Sequence, residues 1–233
     1  MPLTALTAPK DFRSPLTLTA DAMGAVLAHF IGADDALSCW RASIATADAT
    51  VAVMARIVFL HGLEGSSTGQ KPTWLKSHGH TVVAPTLDTR ALIAWLSTRT
   101  GGPYTAPMST VASPRTAALE AITEFRPEVV VGSSFGGGLA MLLQQEGKFR
   151  GPLVLLAPAG AKLFGITTLT TTAPVAILHG RADDVVPAQD SIALASAAHG
   201  DVTLRLVEDD HRLTASVGAG LMGELVELVL HRK

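Results

Sequence analysis

Among 233 residues there is one cysteine, Cys39, so no internal disulfide can brace the chain. That scarcity fits a reducing cytoplasm, the compartment expected for this protein. Charge is scarce too: 16% of residues are Asp, Glu, Lys or Arg, and 18 basic against 20 acidic side chains leave a formal net charge of −2. With neither sign in excess, no attraction toward nucleic acid or an anionic membrane surface is expected. No run reaches the roughly 18–20 apolar residues that span a bilayer. The nearest approach to a targeting segment, Ala22 to Ala33, follows Asp21, is interrupted by His29 and has no basic cluster before it. A lipoprotein reading of Ala36-Leu37-Ser38-Cys39 fails because Asp34 and Asp35 stand where an apolar region is required. A soluble protein without membrane or nucleic-acid partners is therefore expected. What the chain does have is hydrophobic residues, 48% of the total. That share excludes an extended disordered protein, and at this length it supports one α/β domain with a sizeable core.

Two unequal parts follow one another. The first 53 residues are rich in Ala and Thr and contain no clear strand followed by a glycine loop. They read as an N-terminal extension, either an appendage or translated sequence upstream of a true start, with a docked N-terminal helix as the competing reading. A short amphipathic helix fits Ala22 to Leu37, with Asp21 near its start. At Met54 the texture changes, and Ile57-Val58-Phe59-Leu60 reads as a buried strand ended by His61-Gly62. The functional domain is expected over residues 54–233.

From there apolar strands alternate with helices. Strands are expected at Arg56–Leu60, Thr81–Ala84, Glu128–Val131, Leu153–Leu156, Val175–Leu178 and Val202–Leu206. Helices are expected at Thr73–Ser77, Thr89–Ser97, Pro114–Glu124, Gly137–Gln145, Ala188–Ala198 and Ala215–Leu230, with a loop from Thr100 to Ser113. Continuous apolar strands separated by helices imply a mainly parallel sheet of about six strands, covered on both faces. In such sheets chemistry belongs on the loops after the strands' carboxyl ends.

The third of these strand ends carries Gly132-Ser133-Ser134-Phe135-Gly136, a G-x-S-x-G pattern centred on Ser134. A serine on a tight strand-to-helix turn is held in strained backbone geometry, and side chains two residues either side would collide. Gly132 and Gly136 remove that collision for Ser134; Ser133 would be flanked by Val131 and Phe135 at the same offsets. A serine hydroxyl needs a base, and the base needs a carboxylate to orient it. The expected chain order is Ser, then acid, then His. The fifth strand leads into His179-Gly180-Arg181-Ala182-Asp183-Asp184, which makes Asp183 the preferred acid and Asp184 its rival. The sixth leads into Glu208-Asp209-Asp210-His211, which makes His211 the preferred base; His179 reads as a turn residue. Oxyanion donors are expected from the backbone N–H groups of Phe135 and of Leu63, in the glycine-containing loop after the first strand.

Other chemistries lack their patterns. A Walker loop wants Gly-Lys-Ser/Thr where the chain reads Gly69-Gln70-Lys71-Pro72, and no dinucleotide fingerprint is present. No His–Cys or His–carboxylate spacing points to a metal site. No cofactor and no metal are expected.

Together the segments MARIVFLHGLEGSSTGQKPTWL, VVVGSSFGGGLAMLL, ILHGRADDVVP and EDDHRL resemble the α/β-hydrolase superfamily, and more narrowly its small YqiA/YcfP-type serine esterases. The likeness covers residues 54–233. It implies a three-layer α/β-hydrolase fold, a cofactor-free esterase acting on short-chain carboxylic esters, and no large lid. It carries the triad over as Ser134, Asp183 and His211, with Leu63 and Phe135 as oxyanion donors. Only Ala157 to Pro174 separates the fourth and fifth strands, where lids usually insert in this superfamily, so an open, shallow pocket lined by Leu63, Phe135 and the Ala157–Phe164 loop is expected. The expected partner is a small acyl substrate. Thioesterase, amidase and acyltransferase activities use the same triad, and a non-catalytic small-molecule binder of this fold is the alternative from another class.

Overall fold

The computed structural model describes residues 54–99 and 105–232. The expected extension over residues 1–53, with its helix at Ala22–Leu37, lies outside the described residues. Six strands form one parallel sheet in the order β2-β1-β3-β4-β5-β6. They are β1 Arg56–Leu60, β2 Thr81–Val83, β3 Val129–Ser133, β4 Leu153–Leu156, β5 Val175–Gly180 and β6 Val202–Val207. The helices are α1 Gln70–Ser77, α2 Arg90–Leu96, α3 Met108–Phe125, α4 Phe135–Gln145, α5 Gly160–Phe164, α6 Ala188–Ser196, α7 Thr214–Gly218 and α8 Leu221–His231.

Strand side chains alternate between faces, so each strand feeds two cores. Val58, Leu60, Val130, Leu153, Leu155, Val175 and Ile177 pack on one face with buried residues of α2, α3, α4 and α6. Ile57, Phe59, Val129, Val131, Val154, Leu156, Ala176 and Leu178 pack on the other with α1, α7 and α8. That is why the strands read as unbroken apolar runs rather than as alternating ones. The expected three layers are present, and the connection from β4 to β5 holds only the short helix α5 and no cap domain.

Three local expectations are corrected. The loop expected through Ser113 ends earlier, because α3 begins at Met108 and carries Pro114 inside it. Proline lacks an N–H and normally marks a first turn. Here Val111, Pro114, Ala118 and Ile122 are all buried, a helical stripe that runs through the proline and outweighs its lost hydrogen bond. The single helix expected at Ala215–Leu230 is two, α7 and α8, broken where Gly220 takes a left-handed φ of 87°. The stretch Ala157–Phe164 is not simply a loop: α5 occupies its second half.

The chain passes from β1 outward to β2 and then returns to the opposite side of β1 as β3. Loops leaving the carboxyl ends of β1 and β3 diverge there, opening the crevice where parallel α/β sheets hold ligands. Leu60 pairs with Gly132 at that edge, which brings the His61 and Ser134 loops side by side.

Candidate active site

Ser134 follows β3 directly, with φ 52° and ψ −115°, a left-handed backbone that L-residues hold only under constraint. Its N–H donates to Leu156 O at 2.8 Å, and its own carbonyl accepts from Gly138 and Ala159 at 3.0 Å each. The two flanking glycines are required by packing. A Cβ on Gly132 would lie 2.6 Å from Gly136 O, and one on Gly136 would collide with the Leu60 carbonyl. The strain at the serine is thus held by close backbone contact on both sides.

His211 stands on the loop between β6 and α7. Its Nε2 lies 2.9 Å from Ser134 Oγ and its Nδ1 lies 2.6 Å from Asp183 Oδ2. A carboxylate only accepts, so the Nδ1 proton faces Asp183 and the Nε2 lone pair faces the hydroxyl. Neighbouring carboxylates hold this loop. Asp209 Oδ2 accepts from the N–H and O–H of Ser216 at 2.8 and 2.7 Å, and Asp210 Oδ1 accepts from the N–H of Arg212 at 2.8 Å.

Asp183 leaves the end of β5, and its side chain has no exposed surface. Burial pushes its carboxyl up. The Val186 N–H, the His211 imidazole and the Val185 N–H together outweigh that, and its pKa stands below the ordinary value. Asp183 Oδ1 accepts the two backbone donors at 2.8 and 2.9 Å. The rival Asp184 is exposed and does not reach His211.

His179 is no turn residue: it is wholly buried as the fifth residue of β5. Its Nδ1 accepts from the Ser191 hydroxyl at 2.7 Å, leaving Nε2–H to donate to Val186 O at 2.9 Å and to face Asp183 Oδ2 at 3.1 Å. Asp183 Oδ2 therefore meets two imidazoles, one from inside the fold and one from the site. His61 is a second such support. Its Nε2 accepts from the Leu87 N–H at 3.1 Å and its Nδ1–H donates to Gly62 O at 2.8 Å, tying down the loop after β1. The sequence signal for both was a histidine-glycine pair at a strand end.

Leu63 shares a cavity of about 460 Å³ with Ser134, and Gly65 N–H closes the intervening turn onto Gly62 O at 3.1 Å. Phe135 begins α4, so its N–H belongs to the first turn, where helical donors have no intrahelical partner. The expected pocket wall is corrected: the Phe135 side chain, Ala157, Ala159 and Leu163 are core residues. The cavity is walled instead by the segment from Phe59 to Pro72, with Val185, Arg212 and Thr214 opposite. The reason is the direction of the elbow, which sends the ring of Phe135 into the core beside Phe164, 6.1 Å between centroids. Among the described residues no group of three His, Cys, Asp or Glu side chains is placed to hold a metal ion, and no helix is long and apolar enough to cross a membrane.

Solved structures share this architecture. A Xanthomonas campestris pv. campestris protein provisionally assigned to the alpha/beta hydrolase superfamily is 28% identical, with a TM-score of 0.53 over 74% of this chain and 98% of that one. Mouse alpha/beta hydrolase domain-containing protein 10 is 20% identical, with a TM-score of 0.53 over 75% of this chain and 89% of its own. The esterase domain of a Rhodothermus marinus protein is 15% identical, with a TM-score of 0.51 over 74% and 84%. No protein-family model and no curated protein matches the sequence. The chain has the α/β-hydrolase fold, and its structural neighbours are consistently proteins of that superfamily.

Proposed function

We propose that the protein is a serine hydrolase that cleaves small carboxylic esters through an acyl-enzyme on Ser134. The observation that carries this reading is the unbroken path from Ser134 Oγ through His211, 2.9 Å on one side and 2.6 Å on the other, to a buried ionised Asp183. His211 Nε2 takes the hydroxyl proton as Oγ attacks the ester carbonyl, and Asp183 stabilises the resulting imidazolium. The backbone N–H groups of Leu63 and Phe135 receive the oxyanion. The imidazolium then protonates the departing alkoxide; the same nitrogen next deprotonates water, which releases the acid and restores the serine. A cavity of about 460 Å³ open to solvent, with no cap domain between β4 and β5, favours small acyl groups. Esterase and hydrolase neighbours support the same class.

A fluorophosphonate probe tests it. Labelling of the wild-type protein that vanishes in Ser134→Ala is expected, together with a loss of kcat/KM on p-nitrophenyl esters of about 10⁴-fold or more. Labelling that survives the substitution, or no labelling at all, removes the reading. Parallel assays on thioester and amide analogues sort the leaving group.

A further inference from the structure

The cavity beside Ser134 carries more positive than negative charge, and one of its cations is unpaired. Its charged walls are Lys71 of α1, Arg212 beside the histidine, and Glu64 of the loop after β1. Glu64 turns to water, with 91% of its side chain exposed, and lies 3.7 Å from the Arg212 guanidinium. At that exposure the pair is weak and leaves Arg212 available. Lys71 is half-buried, and its ammonium has no hydrogen-bond or ion-pair partner among the described residues.

The nearest acids do not fill that role. Asp209 gives Oδ2 to Ser216 and Oδ1 to the Asp210 N–H, and Asp210 gives Oδ1 to the Arg212 N–H. Their charges act on Lys71 through space only. Burial pulls its pKa down, and Asp209 and Asp210 recover part of that loss. A half-buried ammonium with no protein partner, on the wall of the cavity that holds Ser134, keeps its donors free for an anionic ligand.

We propose that this cavity takes an ester bearing a carboxylate, held by Lys71 and seconded by Arg212, so that binding of the charge sets the carbonyl over Ser134. The proposal rests on the serine hydrolase reading above for the ester, and on the cavity alone for the carboxylate. Two cations against one carboxylate in the walls match a single negative charge, which favours a carboxylate over a phosphate dianion. Binding energy from a remote charge is then available to orient the reacting carbonyl.

The test compares isosteres. p-Nitrophenyl hemisuccinate and p-nitrophenyl butyrate differ by a terminal carboxylate in place of a methyl on the acyl side; 4-acetoxybenzoate and 4-tolyl acetate do so on the alcohol side. In one pair the anionic ester should be favoured in kcat/KM on the order of tenfold, with kcat raised as well as KM lowered. Lys71→Met should abolish the preference, and Lys71→Arg should retain it. Equal turnover within both pairs, or a preference that survives Lys71→Met, overturns the proposal while leaving the hydrolase reading intact. Tighter inhibition by phenyl phosphate than by benzoate overturns the choice of carboxylate. Calorimetric titration of hemisuccinate ester into Ser134→Ala protein reads the charge site without turnover. Binding there that is lost on adding Lys71→Met supports the site. That same result, with no ester turned over by the wild-type protein, overturns the hydrolase reading alone.

Discussion

At the scale of single residues, the proposed catalytic geometry depends on groups that do not line the cavity. His179 is the clearest. It donates to Val186 O, faces Asp183 Oδ2 at 3.1 Å, and is itself oriented by Ser191. Replacing it by leucine strands the Ser191 hydroxyl and the Val186 carbonyl and removes a donor from the acid. His179→Leu should cost about 1–3 kcal/mol of stability in urea unfolding. It should also lower kcat on the order of tenfold with KM little changed, because the residue is absent from the cavity wall. A KM effect without a kcat effect would contradict that positioning role. Asp183 itself supplies a pH signature. Its folded pKa is depressed, so the stabilisation is complete above the ordinary carboxylate range, near about pH 4, and is lost as pH falls through the folded value. The gap in urea midpoint between wild type and Asp183→Asn should therefore narrow on acidification from about pH 6 to about pH 3. A constant gap would assign the effect of the substitution to packing.

At the scale of elements, the turns that end strands and helices carry the special backbone geometry, and two glycines illustrate different reasons for it. Gly136 has no room: its Cβ would run into the Leu60 carbonyl, backbone that cannot yield. Gly220 has open space around it, but holds φ 87° between α7 and α8. Gly136→Ala should cost about 3 kcal/mol and abolish turnover, since the elbow must move to admit the methyl. Gly220→Ala should cost only about 1 kcal/mol of backbone strain and leave turnover intact. Thermal unfolding and p-nitrophenyl ester assays on both separate crowding from strain. The same contrast explains which elements were legible in the chain. The strands were readable because both of their faces are apolar. The start of α3 was not, because Pro114 signals a helix start locally while the buried stripe from Val111 to Ile122 acts only once the sheet is present. The break between α7 and α8 was missed for a related reason: a glycine permits a left-handed turn but does not announce one.

At the scale of the whole molecule, two cores on opposite faces of one sheet bury the central strands β1, β3, β4 and β5, and among the described residues these cores run from Ala55 to Val229. Both the site and its supports, from His61 to Ser216, lie in the same interval. A protein comprising residues 54–233 is expected to fold cooperatively and to show the proposed ester hydrolysis at the level of the full chain. Denaturant melts followed by fluorescence and by circular dichroism check this; non-coincident transitions, or insoluble protein, would show that residues 1–53 contribute to the fold.

The chain by itself determined the layers, the strand order's parallel sense and the elbow, because these follow from local hydrophobic runs and from steric rules that act over five residues. It also ordered the candidate acid and base along the chain. Only the tertiary structure decided that Asp183 rather than Asp184 meets His211, that His179 turns inward beneath the acid, and that Lys71 shares a wall with Ser134. Each of those depends on side-chain direction at a strand or helix end. A rotation of one residue reverses it, and no pattern in the chain records that rotation until neighbouring strands fix where the backbone points.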